Sequence, residues 1–169
     1  MLEGQDRQTG SAGGKRHRAH RAADAAGALR DPSYPVLCLP ASGGFAVARA
    51  ASDLEYTRGV LWQKGFFEGL EVIDRQGGRF AVVSAAIVWP RSWAGRWLAL
   101  TLDFTVRVSL RLTYLGEANL ETARDRVLAA LAEDPEMVEE SSGREEAWWR
   151  EKIARCRTSG ELVEVLSEA

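Results

Sequence analysis

From Leu98 to Tyr114 every even-numbered position is apolar: Leu98, Leu100, Leu102, Phe104, Val106, Val108, Leu110, Leu112 and Tyr114. Thr101, Asp103, Thr105, Arg107, Ser109, Arg111 and Thr113 stand between them, with Ala99 the one apolar exception. Side chains alternate across a strand, so the run predicts an antiparallel ribbon with one buried and one wetted face. Its length is a constraint. At roughly 3.3 Å per residue it would reach about 56 Å, whereas a compact body of this size is only about 37 Å across. A strongly bent strand, or two strands meeting at a corner near Asp103 to Thr105, is therefore expected. The Thr/Arg/Ser face reads as a solvated sheet face, with a polar docking face as the alternative.

The pattern before this run predicts further strands. Val36–Leu39 and Phe45–Ala50 are short apolar runs around Pro40-Ala41-Ser42-Gly43-Gly44, the composition of a hairpin. Ser52-x-x-Glu55 has capping-box spacing and opens a predicted helix running to about Gln63, stopped by Gly65. Phe66–Ile73 and Arg79–Ala85 are predicted strands joined by the turn Asp74-Arg75-Gln76-Gly77-Gly78. Trp89 to Trp97 reads as an irregular connector.

After Gly116 the period changes. Leu120, Val127 and Leu131, with Ala123 between, mark one helical face, with Asn119 as its candidate cap and Pro135 past its end. Ser142-x-x-Glu145 opens a helix with Trp148, Trp149, Ile153 and Cys156, and Thr158-x-x-Glu161 opens a last short one. Strands first and helices afterwards predict an α+β fold: a small antiparallel sheet with one long bent strand, packed by C-terminal helices. Residues 1–31 have few large apolar groups and a basic cluster, Lys15-Arg16-His17-Arg18-Ala19-His20-Arg21, and read as a disordered basic tail or a start placed too early. Residues 32–169 form the single domain.

Charge is unevenly spread. The net of −2 divides into +2 over residues 1–31, +3 over 32–116 and −7 over 117–169. Nineteen of the 22 basic residues are Arg, the bias of a GC-rich bacterial genome. No apolar run approaches the ~18 residues of a membrane span, and there is no secretory h-region. The expected compartment is the cytoplasm, with Cys38 and Cys156 as reduced thiols and no membrane partner.

Both histidines, His17 and His20, lie in the tail. The body therefore lacks the commonest general base, the His-activated nucleophiles and His-based zinc sites. No metal or other cofactor is expected, and no catalytic residue is assigned. Gly43-Gly44 and Gly77-Gly78 lack the spacing of a phosphate loop. A carboxylate pair, Glu68 with Asp74, is the remaining hydrolase candidate; the bland reading makes Glu68 a surface charge and Asp74 a turn cap. Cys38 sits between Leu37 and Leu39, which disfavours a thiolate.

The aromatic connector carries more. Trp89, Trp93 and Trp97 recur every four residues among Arg91 and Arg96. They read either as a lid on the core or as a partner surface, since Trp and Arg dominate binding hot spots and also stack on nucleobases. Of the adjacent Trp148 and Trp149, one is expected to face outward, and Trp149 reads as a binding residue.

The stretch Lys64-Gly65-Phe66-Phe67-Glu68-Gly69-Leu70-Glu71-Val72-Ile73-Asp74-Arg75-Gln76-Gly77, preceded by Tyr34-Pro35-Val36, resembles a group of small uncharacterised bacterial proteins. That group shares N-G-[YF]-[FY]-D-G-L-x-[IV]-[IV]-D-x-x-G, followed by a long alternating strand and C-terminal helices. The similarity covers about residues 34–166. Lys64 and Glu68 replace the usual Asn and Asp, and the Trp-rich connector departs from the group's loop. In size and build the resemblance extends to bacterial immunity and accessory proteins.

Together these features predict a protein-binding module, immunity-like or regulatory, more readily than an enzyme. The acidic C-terminal third, with Glu139, Glu140, Glu145 and Glu146, would steer a basic protein partner. The alternative is nucleic-acid binding through the Arg-rich tail and the Trp/Arg connector.

Overall fold

A computed structural model describes residues 30–134 and 143–168. Glu139, Glu140, Ser142 and the basic cluster of the tail lie outside the described residues. The fold is α+β, with one six-stranded antiparallel sheet ordered β2-β1-β4-β5-β6-β3. Its strands are β1 (Val36–Leu39), β2 (Ala46–Ala48), β3 (Tyr56–Arg58), β4 (Glu71–Asp74), β5 (Gly78–Trp89) and β6 (Thr105–Glu117). The helices are α1 (Ala51–Glu55), α2 (Gly59–Gln63), α3 (Trp93–Thr101), α4 (Leu120–Glu133), α5 (Glu146–Arg155) and α6 (Ser159–Ser167).

The central strands are covered on both faces. Leu37, Leu39 and Ile73 pack with Val127, Leu131, Trp149 and Ile153 of the C-terminal helices. Val36, Cys38 and Val72 point the other way, into a second cluster with Phe80, Val106 and Val108. Burial on both sides explains why β1 reads as an unbroken apolar run. On β6 the expected parity holds: Val106 and Val108 are buried, Leu110, Leu112 and Tyr114 are half-buried, and Arg107, Ser109 and Arg111 are exposed. The long ribbon is formed by β5 and β6, and register shifts near Phe80, Val83 and Val88 bend it.

Several expected boundaries are corrected. The alternating run is not one strand: Leu98 to Thr101 belong to α3, and β6 starts at Thr105. The chain turns at Asp103, whose φ of +53° breaks both elements and whose Oδ1 accepts a hydrogen bond from Val60 N at 2.7 Å. The helix expected from Ser52 to Gln63 is split into α1 and α2 by β3, which pairs with the start of β6. Its cap is Asp53, which accepts from Arg49 N and Ala50 N at 2.8 and 2.9 Å, and not Ser52. Of the strand expected over Phe66–Ile73, only the end forms, as β4; Gly65 and Gly69 take positive φ in the turns before it. The strand expected to stop at Ala85 continues to Trp89.

Other local readings agree with the structure. β1 and β2 form the expected hairpin. Asn119 Oδ1 accepts from Thr122 N at 3.0 Å, and Thr158 Oγ1 from Glu161 N at 3.1 Å. At the N-terminal side Arg30 donates to Asp74 at 3.2 Å and to Gln76 at 2.6 Å, and its guanidinium lies over the Tyr114 ring.

Candidate functional site

The Trp-rich connector folds as an inverted amphipathic helix. Ser92 caps it, its hydroxyl accepting from Gly95 N at 3.1 Å. Only Ala99 is buried, against α2, where a Cβ on Gly59 would stand 2.7 Å from the Ala99 carbonyl oxygen. At about 100° per residue, Trp93, Trp97, Thr101, Ala94, Leu98 and Leu102 follow one another around half of the helix. All six are exposed, Trp93 by 81% and Trp97 by 58%. A surface helix ordinarily turns this stripe inward; here it faces solvent. The lid reading is therefore corrected: the indoles do not cover the core.

The surrounding residues extend the surface. Trp89 ends β5 at 58% exposure, and Leu102 and Phe104 flank Asp103, each 55% exposed. Arg96 donates from Nε to the Pro90 carbonyl at 2.9 Å, leaving its charge unpaired by any carboxylate among the described residues. Arg91 is exposed and makes no hydrogen bond or ion pair among the described residues. The sequence holds no carboxylate between Asp74 and Asp103, and Asp103 is bridged to Arg58.

The remaining expected site residues lie elsewhere. Helices α4, α5 and α6 pack with one another, and α6 lies on β1, β2 and β4, whereas α3 packs on α2 and β6. The Trp/Arg surface and the acidic third are thus held by different parts of the sheet. Glu146 is paired with Arg150, and Glu145 occupies the N-cap position of α5 without a side-chain cap bond. Glu151 is bridged to Arg155, Glu164 to Arg75 at 2.7 Å and Glu168 to Arg144 at 3.9 Å, so much of the described acidity is already matched. Trp149 is corrected from a binding residue to a core residue: it is fully buried. Trp148 is its half-buried neighbour, edge-on at 4.8 Å, beneath Arg144 and Lys152.

The catalytic candidates fare differently from the docking surface. Asp74 is fully buried; its oxygens accept from Gln76 N, Gly78 N and Ser33 N at 3.0, 2.6 and 3.2 Å, besides Arg30. A carboxylate so engaged holds a turn together and has no lone pair facing a substrate. Glu68 lines a separate groove with Trp62, Phe67 and Val82 to Ala85. A cleft of about 660 Å³ has Leu54, Val108, Leu110 and Leu112 in its lining. At its edge Arg107 donates to Glu55 at 3.1 and 2.8 Å. Burial, then the nearby Cys38 and carboxylates, pushes the Tyr34 hydroxyl up, away from use as a base near neutrality. Among the described residues no group of His, Cys, Asp and Glu is placed to hold a metal ion.

Burial pushes the Cys38 thiol up to about 12 from its ordinary 9.0. Alkylation by iodoacetamide at neutral pH is therefore expected to be slow in the native protein and fast after unfolding. Because the folded pKa is raised, this thiol's contribution to stability is complete below pH 9 and is lost as pH rises toward about 12. A fast native reaction at Cys38, with Cys156 replaced, would contradict its placement. No family model, curated protein or solved structure matches the chain. Among the described residues no helix is long and apolar enough to cross a membrane.

Proposed function

We propose that this chain is a non-catalytic binding module of bacterial cytoplasm, regulatory or immunity-like in kind, that works by docking the outward face of α3. One observation carries the reading: the helix buries Ala99 and exposes Trp93, Trp97 and Leu98. The three indoles of this segment amount to roughly 300–500 Å² of exposed surface, already the size of the largest apolar patch on an ordinary monomer. Leu98, Leu102 and Phe104 add to it. Leaving that area in water is costly, and nothing in the packing of α3 requires it.

The acidic helices support a weaker version of the expected basic-partner surface, because their carboxylates already have partners in Arg150, Arg155, Arg75 and Arg144. Docking through α3 uses the opposite electrostatics, an apolar face with arginines at its border.

In-cell photocross-linking tests this reading. A photoreactive phenylalanine analogue at position 93 or 97 should give a cross-linked adduct, and the same group at the exposed Arg157 should give none. A chain that remains free of adducts at 93 and 97 would refute the docking face.

A further inference from the structure

We infer that the surface α3 docks onto is an anionic lipid bilayer, with Trp93, Trp97 and Leu98 seated at the headgroup level and Arg91 and Arg96 on lipid phosphates. This rests on α3 being the docking face and names what covers it. The expectation of no membrane contact came from the lack of a spanning run, which does not bear on a helix lying in the interface.

Three features select a bilayer over other occupants. First, apart from the two indole N–H groups the centre of the face offers no free hydrogen-bonding side chain: Thr101 Oγ1 donates to the Trp97 carbonyl at 2.8 Å, and Ser92 Oγ accepts from Gly95 N. Protein interfaces carry about one hydrogen bond per 100–200 Å². The acyl boundary needs none. Second, Arg91 and Arg96 border the face without a carboxylate partner among the described residues, while Asp103 is already bridged to Arg58. The two positive charges complement anionic headgroups. Third, a second copy packed on this face would bring two more unpaired arginines to the same interface without a free carboxylate to meet them, Asp103 being bridged to Arg58. Trp and Leu on the face with Arg beside them is the composition of an interfacial helix, in which the indole's apolar body and N–H suit the headgroup layer.

Vesicle co-sedimentation of the full chain tests the inference, using pure phosphatidylcholine and equimolar phosphatidylcholine–phosphatidylglycerol. The chain should sediment with the anionic vesicles, with a blue shift of its tryptophan emission, and release as salt is raised. Trp93→Ser with Trp97→Ser should abolish binding, while Trp97→Leu retains most of it. Arg91→Ala with Arg96→Ala should weaken binding about 25-fold, roughly fivefold per arginine. Since both indoles are exposed, an unchanged unfolding midpoint will show that these variants are folded.

Failure to bind either vesicle overturns the inference, as does binding that survives Trp93→Ser/Trp97→Ser. A concentration-dependent dimer, or binding of a single-stranded oligonucleotide, that the same variant removes without any vesicle binding overturns it also. In those cases an adduct at position 93 in the cell leaves the docking reading intact, whereas its absence removes both.

Discussion

Trp149→Ala is expected to destabilise the protein by about 3–5 kcal/mol, the range for deleting a large aromatic side chain from a core. The indole is fully buried in the cluster that joins β1 and β4 to the C-terminal helices, with Leu37, Leu39 and Leu131 among its members. Truncation leaves a void that these residues cannot all collapse into, because the strand side chains are fixed by their ladder. Trp97→Ser, by contrast, should stay within about 0.5 kcal/mol of the parent, as surface substitutions do. Urea midpoints of the two variants, read by circular dichroism, check the pair. A mild Trp149→Ala or a severe Trp97→Ser would mean that inside and outside have been exchanged.

Trp149 was expected at a binding surface, although the spacing of its helix carries the signal for the core. Trp149, Ile153 and Cys156 stand at i, i+4 and i+7, the spacing of one helical face, and all three are buried. Trp148 falls off that face. The hairpin and the Asn119 and Thr158 caps were readable for a similar reason, each depending on chemistry within a few residues, and the antiparallel character of the sheet showed in the alternation along β6. What misled was Leu98 to Leu102, where alternation runs on from β6 into the end of α3. Composition separates the two halves better than period does. Residues 93–100 contain no β-branched side chain, whereas Thr105 to Thr113 contain Thr, Val, Val and Thr. Ser92 caps the helix in the structure, a start signal that the reading of an irregular connector passed over. The outward orientation of α3 was not legible, because its apolar stripe is the same whether it faces core or solvent. Only the close approach of Gly59 to the Ala99 carbonyl decides which side is inward. The same limit applied to the split helix: β3 exists because its register partner, β6, lies 49 residues further along.

Asp74→Asn is expected to cost about 2–4 kcal/mol, although it removes only a charge and keeps the shape. One amide oxygen can still accept from Gln76 N and Gly78 N. The new NH2 group then meets Ser33 N and the Arg30 guanidinium, both donors, where Oδ2 had accepted from each at 3.2 Å. Turning the amide over exchanges one pair of clashes for the other. The turn after β4 and the approach of residues 30–33 are thereby loosened together. Gly78, whose added Cβ would lie 3.0 Å from Asp74 Oδ1, fixes how closely that turn wraps the carboxylate. The measurement is the unfolding midpoint together with vesicle binding. Stability should fall while anionic-vesicle affinity under native conditions is unchanged, because α3 lies on α2 and β6, away from β4. A stable Asp74→Asn protein would return Asp74 to the carboxylates available for chemistry. Lost vesicle binding in a folded Asp74→Asn protein would mean that the docking face depends on the β4 turn and not on α3 alone.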